Sequence, residues 1–382
     1  MVAILTRKLH VPYSVGLVAT GMFLALFSVD LQVHLTRDLI FSTLLPPLIF
    51  EAAMALRWRD LRRDLLLIVL LATVGLVLSA ALTAVGMHWL AGWQWAAAML
   101  FGVLIAATDP VSVIAVFKEA GVRGRLRTLI EAESLFNDGT AAVLFAVGAA
   151  FVAGQALTPG LAGLWLLKSV GGGIACGAAV AGVILLLVNR TDDHLVMLAF
   201  TTIAAYASFL LAEHFGGSGV LATLCAGLII GNLGPIGAIP PRGRAAIEAF
   251  WEFAAFVSNS LIFLLIGINE QQQDFHAVWK SAVIAIALVT LGRAVAIYPV
   301  CGLLARIADP VSMRDQHLLV WGGLRGALAL ALALSLPQEV PQRGAIATVA
   351  FAVVAFSIFA QGLTIAPRLR RLKQSSPDPA AP

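Results

Sequence analysis

Charge is what this sequence has least of. Asp, Glu, Lys and Arg make up only 12% of its 382 residues, against 60% hydrophobic, and the mean hydropathy is +0.93. A soluble domain carries about 25% charged residues, so this composition excludes one and leaves a polytopic membrane protein. Cysteine is scarce as well. Cys176, Cys225 and Cys301 are scattered through apolar stretches without paired spacing, which argues against a disulfide framework or a cysteine metal site. The phosphate-cradling pattern G-x-x-x-x-G-K-[ST] is missing, so no nucleotide partner and no nucleotide-driven transport by this chain are expected. No cofactor and no nucleic acid partner are expected either. Arg7 and Lys8 precede an apolar stretch that leads into further apolar segments instead of a cleavage site, so no signal peptide is read there. Residues 373–382 read as a disordered tail, polar and proline-rich and too short to fold.

Glycine, by contrast, is plentiful at 34 residues, as suits helices that must approach closely inside a bilayer. Windows of about twenty apolar residues predict about twelve spans, near 12–28, 38–56, 64–90, 95–118, 125–153, 161–189, 194–214, 217–232, 246–268, 277–306, 314–336 and 343–366. The segments are too long for barrel strands and lack strand alternation, so an all-α bundle is predicted. Arginine and lysine orient it. Arg7, Lys8, Arg57, Arg59, Arg62, Arg63, Lys118, Arg123, Arg125, Arg127, Arg190, Arg242, Arg244, Arg306, Arg314 and the run Arg368 to Lys373 fall in alternate loops on one side. Arg37, Lys168, Lys280 and Arg343 fall near the other face. The positive-inside rule then places both termini in the cytoplasm of a cell with this multi-pass chain in its inner or plasma membrane.

Two acids stand in mid-span, where an ionisable group persists only with a partner, a water-filled cavity or a task involving charge. Asp109 lies in Ala107-Thr108-Asp109-Pro110. Proline lacks the backbone donor and disfavours helix in the residue before it, so the helix is predicted to open at Thr108 and Asp109. Residues 321–326, Trp-Gly-Gly-Leu-Arg-Gly, interrupt the span 314–336 in the same manner and carry Arg325, a charge at broken helix ends. Paired interrupted helices in oppositely oriented halves point to an inverted-repeat secondary transporter. Asp138 follows Ser134 by four residues and shares its helix face, offering the hard oxygens that a sodium or lithium ion prefers. Desolvation disfavours a charged carboxylate, so proton and cation would compete for it. Asn137 is directed aside, towards a neighbouring helix. Glu133 and the mid-span Arg293 are predicted to pair as structural glue, and Glu51 is a further acid that could face the same cavity.

Five stretches carry a family resemblance: 107–113, 131–140, 217–222, 259–267 and 321–327. In this order they resemble the signatures of the NhaP-type sodium/proton antiporters, in the superfamily of monovalent cation:proton antiporters that also holds the eukaryotic sodium/hydrogen exchangers. The resemblance implies an NhaA-like antiporter fold with two crossed discontinuous helices, working as a homodimer in the lipid bilayer. A dimerisation or scaffold domain (1–60 and 191–270) would face a moving core domain (61–155 and 271–372) across a linker helix (156–190). Asp138 would bind ion and proton, with Na+ held by Asp138, Ser134, Thr108 and Glu51. Asp109 and Asn137 would support the crossing, and Glu133 with Arg293 would form the buried ion pair. The Asn137-Asp138 pair resembles the electroneutral branch. Members usually have one more helix before residues 11–28, so the resemblance implies a chain lacking the usual first helix and part of its dimer contact.

Two rival functions follow from the same residues. An intramembrane aspartyl protease would use Asp109 and Asp138 as a dyad sharing a proton, but the Tyr-Asp and Gly-x-Gly-Asp contexts of such proteases are missing. A cation channel would need a continuous pore. An antiporter, not an enzyme, accounts for more of the sequence.

Overall fold

The computed structural model describes residues 2, 4, 6, 12–26, 36, 38–109, 124–154, 158–233, 239, 241–270, 275–306 and 309–365. Pro110, Lys118 and Arg123 of the basic loop, Arg7, Lys8 and Arg37, and the tail from 366 onwards lie outside these residues. The described chain is all-helical, without a strand. Seven helices are long and apolar enough to cross a membrane, and four shorter apolar helices accompany them.

Helix α1 spans Tyr13–Leu26 and α2 spans Leu39–Ala55. The first turns of α2, Leu39–Leu44, are π-helical. Pro46 and Pro47 follow directly and have no N–H for the carbonyls behind them, which is where a widened turn is tolerated. Then come α3 (Trp58–Ala91), α4 (Trp95–Ala106) and α5 (Arg125–Val152). They are followed by α6 (Pro159–Val188), α7 (His194–His214), α8 (Gly219–Leu233) and α9 (Pro241–Glu270). The last are α10 (Phe275–Leu304), α11 (Met313–Trp321), α12 (Ala327–Leu334) and α13 (Arg343–Ile365).

The helices sort by contact into two groups. One comprises α1, α2 and α6 to α9. The other comprises α3 to α5 and α10 to α13, and the groups meet where α5 touches α2, α6 and α8, where α2 touches α12 and where α1 touches α13. Hydrocarbon surroundings explain the outer surface: Leu164, Leu167, Leu186 and Leu195 are all more than half exposed on α6 and α7, an arrangement that water would penalise.

Small residues set how close the helices come. A Cβ on Gly267 of α9 would lie 2.2 Å from the Val18 carbonyl of α1, and one on Gly21 would lie 2.2 Å from the Leu264 carbonyl. These two backbones therefore touch without intervening side chains. At the arginine-rich end, polar contacts tie α3 and α5 to the loop before α11. Arg125 donates to Asp64 from Nη2 at 2.7 Å and to the Asp309 carbonyl at 2.8 Å, and Arg63 Nε donates to the Asp309 carboxylate at 3.0 Å. The hydrogen bond and charge of Arg63 hold the exposed Asp309 carboxyl below the usual carboxylate range.

Two outcomes follow from this packing. Gly267→Ala is expected to lower stability by about 1–3 kcal/mol through overpacking, whereas Gly163→Ala, whose Cβ would meet nothing within 4 Å, lowers it not at all; melting in detergent separates them. For Asp309, a depressed folded pKa means stability that is present above the unfolded value of about 3.9 and lost as pH falls through the folded one. The melting difference between the natural chain and Asp309→Asn should therefore be seen at pH 7 and close in acid below that range.

Candidate functional site

The site forms where the C-terminal end of α4 and the α11–α12 connection meet the middle of α5. Helix α4 ends at Ala106, and Ala107 to Asp109 are unwound. Helix α11 ends at Trp321, and Gly322 to Gly326 run non-helically to α12. The unwound segments bond to each other directly: the Asp109 N–H donates to the Leu324 carbonyl at 2.7 Å. Glycine permits the approach, since a Cβ on Gly326 would lie 2.6 Å from the Asp109 Cβ.

Arg325 closes the same contact. Its guanidinium, 1% exposed, donates through Nη1 to the carbonyls of Ala106 and Ala107, the latter at 2.9 Å. A cation there meets the negative end of the α4 dipole and replaces intrahelical donors that the unwinding removed. Arg325 thus lies in the segment that joins α11 to α12 and at the end of α4.

Helix α5 presents four polar residues from two adjacent turns, Glu133, Ser134, Asn137 and Asp138, all buried. Spacing of four pairs Glu133 with Asn137 and Ser134 with Asp138 on neighbouring stripes. The Asn137 amide is engaged at both ends. Its Nδ2 donates to Thr108 Oγ1 at 2.7 Å and to Glu133 Oε1 at 2.9 Å, while its Oδ1 accepts from the Thr108 N–H at 3.1 Å. Thr108 Oγ1 and Ser134 Oγ lie 2.9 Å apart. Arg293 of α10 reaches Glu133 with both arms of its fork, at 2.7 and 2.6 Å, and donates from Nε to the Leu319 carbonyl at 3.3 Å. A Cβ on Gly323 would lie 2.6 Å from that Nε, so the glycine run also makes room for this arginine.

Asp138 stands apart from this web. It is 5% exposed, and its Oδ1 has no hydrogen-bond partner among the described residues. It lines a cleft of about 410 Å³, including space open to solvent, together with Thr108, Asp109 and Gly326. Leu45, Leu48 and Ile49 of α2 wall the cleft from the other helix group. Glu51, half-buried two residues further along α2, is not among the lining residues. A buried carboxylate oxygen left unpaired beside further oxygens suits a small hard cation or a proton. Among the described residues no group of three or more His, Cys, Asp or Glu side chains could hold a metal ion.

Comparison with known proteins decides the family. The profile for the transmembrane sodium/hydrogen exchangers matches residues 1–371. The chain belongs to the sodium/hydrogen exchanger family. It is 40% identical to the low-affinity Na+/H+ antiporter NhaS1 of Synechocystis over 93% of its own length and 68% of the relative's. It is 39% identical to the Na+/H+ antiporter ApNhaP of Aphanothece halophytica over 95% and 70%. The solved sodium proton antiporter MjNhaP1 of Methanocaldococcus jannaschii is similar in fold, with a TM-score of 0.78 at 20% identity, covering 98% of this chain and 94% of that one. Membership places the exchanger chain among membrane transporters and not among enzymes.

The structure brings Thr108, Asp109, Glu133, Ser134, Asn137, Asp138, Arg293 and Arg325 into one neighbourhood. What sequence reasoning missed are the apolar walls Leu45, Leu48 and Ile49, which carry no chemical signal, and the packing roles of Gly323 and Gly326, for which the glycine run was a usable one.

Removing one partner of a buried ion pair strands the other charge. Glu133→Gln is expected to lower stability by about 3–5 kcal/mol, measured by melting in detergent. The double change Glu133→Leu with Arg293→Met should lose less than the two single changes added together.

Proposed function

We propose that this chain exchanges a monovalent cation, Na+ or Li+ and by extension K+, for H+, with both competing for the carboxylate of Asp138. The observation that carries the reading is the unpaired, buried Oδ1 of Asp138 beside an unwound helix. Thr108, Ser134, Asn137, Glu133 and Arg293 spend their hydrogen bonds on one another, whereas this oxygen has no partner among the described residues. The relatives' description as Na+/H+ antiporters supports the same exchange.

In this mechanism water-filled access brings a hydrated cation to the cleft. The cation trades water for the Asp138 carboxylate and for oxygens of Thr108 and Ser134; Glu51, on α2 beyond the residues that line the cleft in this structure, is the acid we assign to complete the set. Binding expels the proton from Asp138, because one carboxylate holds either the cation or the proton. A single carboxylate that holds either the cation or the proton exchanges one for one, and the Asn137-Asp138 pair resembles that of the electroneutral branch. Asp109 and Asn137 support the unwound segment, Glu133 with Arg293 brace it, and Arg325 offsets the broken helix ends.

The two helix groups suggest how the site changes sides. The core domain (61–155 and 271–372) carries the site and moves against the scaffold (1–60 and 191–270), with 156–190 as linker. Leu45, Leu48 and Ile49 then serve as the fixed apolar wall past which Asp138 travels. We assign about twelve spans in two inverted repeats, a homodimer built on the scaffold group, and an inner or plasma membrane location with both termini cytoplasmic.

Asp138→Asn should reduce Na+-dependent proton flux in proteoliposomes to background; normal exchange in that variant would sink the assignment. In the natural protein the apparent cation affinity should weaken by about tenfold per pH unit once pH lies below the carrier's pKa. An affinity flat with pH would exclude a single shared carboxylate.

A further inference from the structure

A second cavity lies away from the Asp138 cleft and shares no lining residue with it. It is a groove of about 1500 Å³, including space open to its surroundings, between α3 and α5 of one helix group and α6 and α8 of the other. Leu65 and Val69 of α3, Phe136 of α5, Ile174 of α6, and Leu224 and Leu228 of α8 form its walls. Such an apolar surface, open to the outside of a membrane bundle, is covered by hydrocarbon.

Its length and its charged end identify the occupant. On α3 the groove runs from Trp58 to Val69, a rise of about 16 Å of helix. One leaflet of a bilayer offers about 15 Å of hydrocarbon. Trp58 marks the arginine-rich end, where tryptophan belongs at a membrane interface. Arg62 sits between Trp58 and Leu65 at helical spacing, so it shares the stripe that lines the groove. It is exposed and forms no ion pair among the described residues. Arg57 and Arg59, both exposed, flank Trp58. Asn232, the polar residue at the same end, is already engaged. Its Oδ1 accepts from the Trp58 N–H at 2.7 Å, and its Nδ2 donates to the carbonyls of Leu56 and Leu228, each at 2.9 Å. Asn232 therefore shapes the mouth, and Arg62 remains for an anion.

We propose that this groove binds one anionic phospholipid of the bilayer, with its acyl chains along α3 and α8 and its phosphate on Arg62. The walls belong to both helix groups, so the lipid bridges the seam between them. The proposal stands on this geometry and not on the assignment of Asp138.

The test is native mass spectrometry of the full chain, delipidated in detergent and titrated with phosphatidylglycerol or phosphatidylcholine. One phosphatidylglycerol should be retained in preference to phosphatidylcholine. Arg62→Gln should weaken phosphatidylglycerol retention by about fivefold, while Arg190→Gln, at another exposed arginine, leaves it unchanged. Leu228→Trp should fill the groove and expel both lipids; Val69→Trp does the same from the more exposed wall, and melting without added lipid shows which variants fold. Natural-level retention in the folded Arg62 and tryptophan variants would overturn the proposal. So would equal loss in Arg62→Gln and Arg190→Gln, equal retention of the two lipids by the natural chain, or a tryptophan variant that changes the oligomeric state while keeping its lipid.

Discussion

A charge buried away from water must be answered by another charge or by aimed hydrogen bonds, and in this bundle that requirement is met through Asn137. Its amide joins the Glu133–Arg293 pair on one side to the backbone and hydroxyl of Thr108 on the other. An unwound segment deep in a helical bundle would otherwise leave several donors and acceptors bare. Asn137 and Arg325 take up these groups at Ala106, Ala107 and Thr108, and the Leu324 carbonyl takes up the N–H of Asp109. The unwound segment that follows α4 therefore has defined partners.

This economy of partners gives Asp138 its character. Because Glu133 is committed to Arg293 and Asn137, and Ser134 to Thr108, the neighbouring turn of α5 has little left to offer Asp138. The Oδ1 of Asp138 is left without a hydrogen-bond partner among the described residues, and the proposed exchange of cation for proton rests on that unpaired oxygen. Rigidity around it and freedom at it are two sides of one bonding pattern. The apolar wall from α2 completes the arrangement by keeping bulk water from one flank.

Much of this was legible in the sequence, for reasons that differ by residue. Asp109, Asp138 and Arg293 stood out because an ionisable residue in a long apolar run has few inexpensive explanations. The opening at Thr108 followed from Pro110, whose ring acts on the residue before it regardless of tertiary context. The tryptophan-to-glycine run at 321–326 signalled a second break because glycine helices are weak. The cleft walls and the lipid-length groove had no such mark, since a leucine that lines a cavity and a leucine that packs in a core are the same letter. Glu51 illustrates the limit: an acid one turn from a wall residue can be placed on a helix by spacing, but spacing does not say which way a neighbouring helix group presents it.

By itself the sequence determined the membrane class, the helical character and the identity of the costly residues, because each of these depends on composition or on near neighbours along the chain. Tertiary structure alone decided which polar groups spend their bonds on one another and which oxygen is left over. That choice rests on contacts between residues far apart in sequence, such as Arg293 with Glu133 and Arg325 with Ala107. Such contacts depend on how closely helices approach, at Gly323 and Gly326 to within the space of a single Cβ.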